Sequence, residues 1–384
     1  MSWFRGSCVN VEDYRRLARR RLPRMIFEYL DGGAEDETGL AHNRAVFSRY
    51  RFKPNRLVNV SERSTATNLF GRQISAPLLV APTGLNGLLW PEGDIILARA
   101  AERFSLPFIL STASTTSIEE LAKRAGGDRW FQLYVIHPEL AAQLVSRALA
   151  ADYSTLVLTV DVSVNGRRER DMRNGFGLPM RYTPRVMFDG LCHPRWTYSM
   201  LTHGMPKLVN FADAQHVSTE AQAKLMSRNM DAGFDWTALQ RLRDKWPRKL
   251  LVKGILNPQD ARHCLELGVD GVILSNHGGQ QLDHAVSPME VLGETVALSN
   301  DAPLLIDSGF RRGADVVKAL ALGAHGVLLG RALLYGLAAR GEAGVNDILR
   351  IITAEIDNTL AQIGCPTITQ LDSSFLVQNS GGTI

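Results

Sequence analysis

Cysteine is scarce. Cys8, Cys192, Cys264 and Cys365 lie far apart and make no Cys-x-x-Cys pair. This spacing suggests neither zinc nor a disulfide framework, so no metal is expected and reduced thiols in a cytoplasmic setting are the expectation. Long apolar runs are also missing. No stretch reaches the roughly 18 apolar residues that would span a bilayer. The N-terminus, Arg-rich through Arg24, lacks the apolar stretch of a secretory signal. Neither sign of charge dominates: 43 Lys and Arg face 39 Asp and Glu, a net +4. With no RNP, zinc-finger or basic-zipper pattern, nucleic acid is not an expected partner. No G-x-G-x-x-G follows the first apolar run, which argues against a dinucleotide fold.

What is present is a rhythm. Short apolar runs occur at Pro77–Ala81, Phe108–Leu110, Trp130–Val135, Thr155–Val160, Leu250–Val252, Gly271–Leu274, Pro303–Ile306 and Gly326–Leu329. Each has about the length of a buried parallel strand, and most are rich in Val, Ile and Leu. Between most of them lies a stretch of helical periodicity, such as Ile95–Ala101 or Val316–Ala321. Eight strand–helix alternations argue for a closed (β/α)8 TIM barrel over an open doubly wound sheet. The whole chain, residues 1–384, reads as one domain. Residues 1–76 form an N-terminal helical segment before the first strand. Within it, Asn10 or Asp13 could cap a helix over Tyr14–Arg20, and Pro23 suits the start of a second helix ending at Asp31-Gly32-Gly33. The tail after Leu371, ending NSGGTI, is expected to be frayed.

About ninety residues separate the fourth and fifth runs, so a loop insertion, residues 176–235, follows strand 4 on the face where barrels keep their chemistry. Its first half, Met180–Phe211, mixes Arg181, Arg185, Arg195 and Lys207 with Phe188, Trp196, Tyr198 and Phe211, and Asp189 is its only acid. That composition suits a membrane interface, or equally a lid or an oligomer contact.

In a barrel the carboxyl ends of the strands converge on one mouth. Here they carry Thr83-Gly84, Ser111-Thr112, Gln132 with Tyr134, Thr159 with Asp161, Lys253-Gly254, Ser275-Asn276-His277, Asp307-Ser308-Gly309 with Arg311, and Gly330-Arg331. The last two follow strands seven and eight, the usual barrel site for a phosphate, where glycines admit backbone N–H groups and arginines give forked hydrogen bonds. Arg312 reads as a surface charge. Lys253, ending a buried strand, must meet a partner or shift its pKa. A phosphate-bearing cofactor with an electron-rich ring would be one. His277 stands before a glycine pair that lets backbone and ligand come close.

With these motifs on the page, the chain resembles the FMN-dependent α-hydroxy-acid oxidising enzymes along nearly its whole length. SNHGGQQLD (275–283) is similar to the family's SNHGGRQLD, DSGFRRG (307–313) to its phosphate loop, and WFQLYV (130–135) to its third strand. PTGLNG, CHPRW, LMSRNMDAGFDW and AQIGCP resemble the mandelate-oxidising branch. The resemblance implies FMN held by Thr83, Gly84, Ser111, Gln132, Thr159, Lys253 and Ser275. It places the phosphate on Asp307, Ser308, Gly309, Arg311, Gly330 and Arg331. His277 would be the base, held by Asp161. Lys253 would offset charge on the reduced ring, and Tyr134 would act with His277. Tyr29, Tyr134, Arg168, Gln280 and Gly84 would meet the substrate. Glycine at 84, where many oxygen-using members carry alanine, favours a dehydrogenase over an oxidase. The implied reaction is oxidation of a 2-hydroxy acid, such as (S)-mandelate or a similar aromatic one, to the 2-keto acid. By the same resemblance the insertion would bind a membrane surface, electrons would pass to a quinone, and the protein would be a homotetramer. It would sit peripherally on the cytoplasmic side of the inner membrane, with a cytoplasmic location as the alternative. Other readings are an L-lactate dehydrogenase and a flavin-binding barrel of low oxidising activity.

The third reading comes from a departure. The family places arginine where this chain has Gln280, and glutamine offers only neutral hydrogen bonds to a carboxylate. Arg167 is a second departure. One reading lets it reach the mouth and partly replace the missing charge, although neighbours in an extended segment point apart.

Overall fold

The computed structural model describes residues 8–177, 183–211, 231–300 and 302–378. Eight parallel strands close into a barrel: β1 (Leu78–Val80), β2 (Phe108–Ser111), β3 (Arg129–Leu133), β4 (Thr155–Thr159), β5 (Lys249–Ile255), β6 (Gly271–Leu274), β7 (Leu304–Ile306) and β8 (Gly326–Leu329). An open sheet would leave the first and last strands unpaired. Here Val327, Leu328 and Leu329 pair with Leu78, Leu79 and Val80.

Strand side chains alternate between two apolar environments. One residue from each strand points inward: Leu79, Ile109, Trp130, Val157, Leu251, Ile273, Leu305 and Leu328. Their neighbours, such as Leu78, Leu110, Phe131 and Leu158, face the surrounding helices. Burial on both faces explains why the runs are continuously apolar. The floor is stoppered by a hairpin, Thr67–Leu69 and Arg72–Ile74, which adds Leu69 and Ile74 to the inner cluster. The ring of Phe70 at its tip lies edge-on to Trp130 at 5.8 Å. With the floor filled by side chains, the room inside the barrel lies at its carboxyl mouth.

The N-terminal helices lie where the sequence places them. Val11–Arg21 is capped by Asn10, whose side chain accepts from Asp13 N–H, and Arg24–Asp31 follows Pro23. This segment is not wholly helical, because Tyr50–Phe52 pairs antiparallel with Leu376–Gln378. That pairing corrects the expectation of a frayed tail after Leu371. Phe375 is buried and the next three residues pair with Tyr50–Phe52; NSGGTI (379–384) lies outside the described residues.

After β4 the chain forms helix Glu169–Asn174, just ahead of the insertion, and then helices Pro184–Cys192 and Pro194–His203 within it. Two of these begin with proline, whose missing N–H is harmless in a first turn. Met180, Arg181 and the first half of LMSRNMDAGFDW (225–230) lie outside the described residues. Helix Pro194–His203 turns Trp196 and Met200 inward and leaves Tyr198 and Leu201 exposed.

Candidate active site

The mouth encloses a cavity of about 550 Å³. Tyr29, Thr83, Gly84, Ser111, Tyr134, Arg168, Lys253, His277, Gln280, Asp307, Ser308, Gly309, Arg311, Gly330 and Arg331 line it. Gln132, Thr159, Asp161 and Ser275 stand behind this wall.

His277 leaves β6 with a left-handed backbone (φ 56°), as do Gly278 and Gly279 after it. That turn projects the imidazole over the mouth. Its Nδ1 lies 3.0 Å from Asp161 Oδ1, and its Nε2 lies 3.4 Å from the Tyr134 hydroxyl. A carboxylate on Nδ1 fixes the ring's orientation and leaves Nε2 to exchange a proton with a ligand. Burial alone would raise the Asp161 carboxyl; the nearby charges of His277 and Lys253 outweigh it and hold the group below the usual carboxylate range. Gly254 makes the room: it has φ 103° at an irregularity in β5, and a Cβ there would sit 2.6 Å from the Asp161 side chain.

Lys253 is buried at the end of β5. Its Nζ donates to Ser275 Oγ at 2.8 Å and lies 3.1 Å from Asp307 Oδ2. Burial pulls the amine down, but the Asp307 and Asp161 carboxylates raise it above the usual lysine value, so it is a cation. The partner demanded by the sequence is therefore first a carboxylate. Ser275 Oγ also accepts His277 N–H at 2.9 Å, so this buried hydroxyl ties lysine to histidine beneath the cavity.

Unmet hydrogen-bonding capacity gathers at the strand ends. Gln132 Oε1 accepts from Ser111 Oγ at 3.1 Å, yet its buried Nε2 has no hydrogen-bond partner among the described residues, and nor has Thr159 Oγ1. Buried polar atoms are normally satisfied, so these mark where a polar ligand edge belongs. On the other side Ser308 (φ 76°) and Gly309 (φ 88°) turn the β7 loop, and a Cβ at Gly330 would only touch Ala81 (3.7 Å) and Thr83 (3.9 Å). Arg311 stacks over Tyr335, its Nη1 on the Phe310 carbonyl and its Nε without a hydrogen-bond partner. Arg331 does something the sequence could not tell. Its nitrogens donate to the carbonyls of Leu30 (3.1 Å), Gly278 (2.9 Å) and Gly32 (2.7 Å), fastening the N-terminal segment to the His277 turn. Burial lowers this guanidinium to about 10, which leaves it charged at neutral pH. Arg312 is half-exposed and paired with Glu355, as its surface reading implies.

The substrate side is built from the insertion and the N-terminal helices. Tyr29 stacks on Phe176 at 4.4 Å. Arg168 is buried over the Tyr29 ring, donates to the Tyr29 carbonyl at 2.6 Å and lies 3.2 Å from Asp171. Gln280 Nε2 donates to Gly32 O at 3.2 Å. Arg167 also lines the cavity, but its side chain is 68% exposed and lies 3.9 Å from Glu169, so the charge it brings to the mouth is a solvated one. Sequence reasoning missed Asp171 and Asn43; it placed Gly254 and Asn276 at strand ends but not their contacts, the room Gly254 leaves for Asp161 and the reciprocal amide pair of Asn43 and Asn276 (2.9 and 2.8 Å) that clamps the turn.

A barrel with a histidine–carboxylate pair, a buried lysine and a glycine-rich anion loop round one cavity is that of a cofactor-holding oxidoreductase. Residues 18–378 match the FMN-dependent dehydrogenase family. The chain is 61% identical to (S)-mandelate dehydrogenase of Pseudomonas putida over 374 residues, covering 97% of this chain and 95% of the relative. It is 39% identical to a putative L-lactate dehydrogenase of Mycobacterium tuberculosis, covering 97% and 90%. The crystal structure of the monotopic membrane protein (S)-mandelate dehydrogenase superposes with a TM-score of 0.94 at 60% identity, covering 97% of this chain and 100% of that one. The chain belongs to the FMN-dependent dehydrogenase family and is an FMN-dependent 2-hydroxy-acid oxidoreductase. The residues present fit that cofactor: the cavity is of cofactor size, unpartnered donors stand at one side and a glycine-lined loop at the other.

Proposed function

We propose that the chain oxidises (S)-mandelate or a similar aromatic 2-hydroxy acid to the 2-keto acid and passes the electrons to a membrane quinone. The observation that carries the chemistry is His277 Nε2, backed by Asp161 and beside the Tyr134 hydroxyl, facing the cavity floored by Lys253. Bound FMN supplies the two-electron acceptor. Gln132, Thr159, Ser111, Thr83 and Lys253 would hold its ring, and the β7 loop, Arg311, Gly330 and Arg331 would hold its phosphate. His277 Nε2 takes the substrate proton, and Asp161 stabilises the imidazolium. Lys253 offsets negative charge built up at the ring edge. Arg168 and Tyr29 meet the substrate carboxylate, with Gln280 adding a neutral hydrogen bond. The identity to a mandelate-oxidising relative supports the aromatic acid, and Phe176 beside Tyr29 gives it an apolar neighbour.

Membrane association is supported by the exposed Met187, Phe188 and Leu191 on one helix and Tyr198 and Leu201 on the next, and by the monotopic relative. No helix among the described residues is long and apolar enough to cross a membrane, so contact would be peripheral. We place it on the cytoplasmic face and the assembly as a homotetramer.

Anaerobic bleaching of the yellow protein by a panel of acids tests this reading. Bleaching by mandelate is expected. Bleaching by lactate alone would make the protein a lactate dehydrogenase, and a yellow protein that no acid bleaches would leave only flavin binding.

A further inference from the structure

A second cavity, of about 560 Å³, lies between the barrel mouth and the insertion. We propose that it is the docking site of the quinone headgroup, an inference that rests on the quinone reading above.

Three short stretches separate it from the first cavity, and each contributes residues to both. Leu85 and Leu89 line the first, while Gly87 and Pro91 line the second. Ala113 lines the first and Thr115 the second; Leu208 lines the first and Pro206 and Val209 the second. Residues two apart in a chain are at most about 7 Å apart. The partition is therefore one layer of chain, thin enough for electrons to cross without the acceptor meeting the substrate.

The lining suits a planar apolar ring with carbonyl oxygens. Ile95, Met200, Val209 and Pro91 supply apolar walls. His203 supplies a polar rim: its Nδ1 lies 3.0 Å from the Ser199 carbonyl, leaving Nε2 for a ligand oxygen. Arg124 lies 2.6 Å from Glu92 and 3.5 Å from Glu120, so the rim carries an excess carboxylate, which favours a neutral acceptor over an anionic one. The cavity is also continuous with the apolar surface. Met200 lines it from the inner side of helix Pro194–His203, and Tyr198 and Leu201 are exposed on the same helix. An isoprenoid tail could lie along that outer face while the head enters beneath the helix end. The balance closes: each hydroxy acid loses two electrons and two protons in becoming the keto acid, and a quinone taking up both becomes the quinol.

The test uses purified holoprotein and a short-chain ubiquinone analogue. A photoreactive azido form should label peptides within residues 87–95, 115–124 or 200–209. Val209→Trp, which fills the cavity, should lower kcat/KM for the analogue at least ten-fold, and His203→Ala at least three-fold. Anaerobic bleaching by mandelate and turnover with ferricyanide should stay within two-fold. If the unaltered protein reduces no quinone, the acceptor reading fails and the site with it. If it reduces quinone, but both variants do so equally well and the label lies elsewhere, the site alone is overturned.

Discussion

At the scale of the residue, position 280 decides most. A charged hydrogen bond to a carboxylate is worth about 1.5–3 kcal/mol, roughly a ten- to hundred-fold rate factor. Gln280 cannot give one, and Arg167, which lines the same cavity, is largely exposed and lies near Glu169. Gln280→Arg should raise kcat/KM for mandelate at least ten-fold; an unchanged value would mark the glutamine as fitted to another substrate. Asp161 acts through His277. Asp161→Asn should lower kcat by about 10²-fold or more, with FMN still bound. Its carboxyl is held low in the native state and titrates near about 3.9 when unfolded. The native state thus binds fewer protons in that window, and stability falls as pH drops through it. Urea unfolding below about pH 4 should show a shallower loss in the Asn variant than in the native chain.

At the scale of the element, the loops after β6 and β7 are shaped by what packs behind them. A Cβ on Gly309 would lie 2.0 Å from the Asn43 carbonyl, and its φ of 88° disfavours any side chain. Gly309→Ala should destabilise by roughly 1–3 kcal/mol from backbone strain alone, and should loosen the anion loop. The flavin-to-protein absorbance ratio after gel filtration would report the second effect and a urea midpoint the first. The sequence announced this loop through its Asp-Ser-Gly and its following arginines. It did not announce that helix Thr38–Ala45 presses on it, because that contact joins residues more than two hundred positions apart. A similar distance hid two of Arg331's three carbonyls, those of Leu30 and Gly32, and nothing local distinguishes an arginine that grips a ligand from one that staples a chain.

At the scale of the whole molecule, barrel and insertion divide the work. The barrel buries its floor and leaves one mouth; the insertion and the N-terminal helices roof it with Arg168, Phe176 and Tyr29. The outer side of the same insertion carries exposed Phe188 and Leu191. Phe188→Ser with Leu191→Ser should shift the protein from the vesicle pellet to the supernatant in sedimentation, with mandelate bleaching unchanged. Equal pelleting would move the membrane contact elsewhere.

The sequence by itself determined the barrel, because strands buried on both faces must be apolar throughout and eight such runs alternate with helices. It also determined which residues stand at the strand tips, since those positions follow directly from the runs. Tertiary structure alone decided which tips touch: Asp161 meets His277 because the barrel closes and Gly254 leaves space, and Lys253 at the end of β5 meets Asp307 after β7, across the tip of β6. Pairings of this kind depend on closure and register, and no local pattern in a chain encodes the distance between two of its loops.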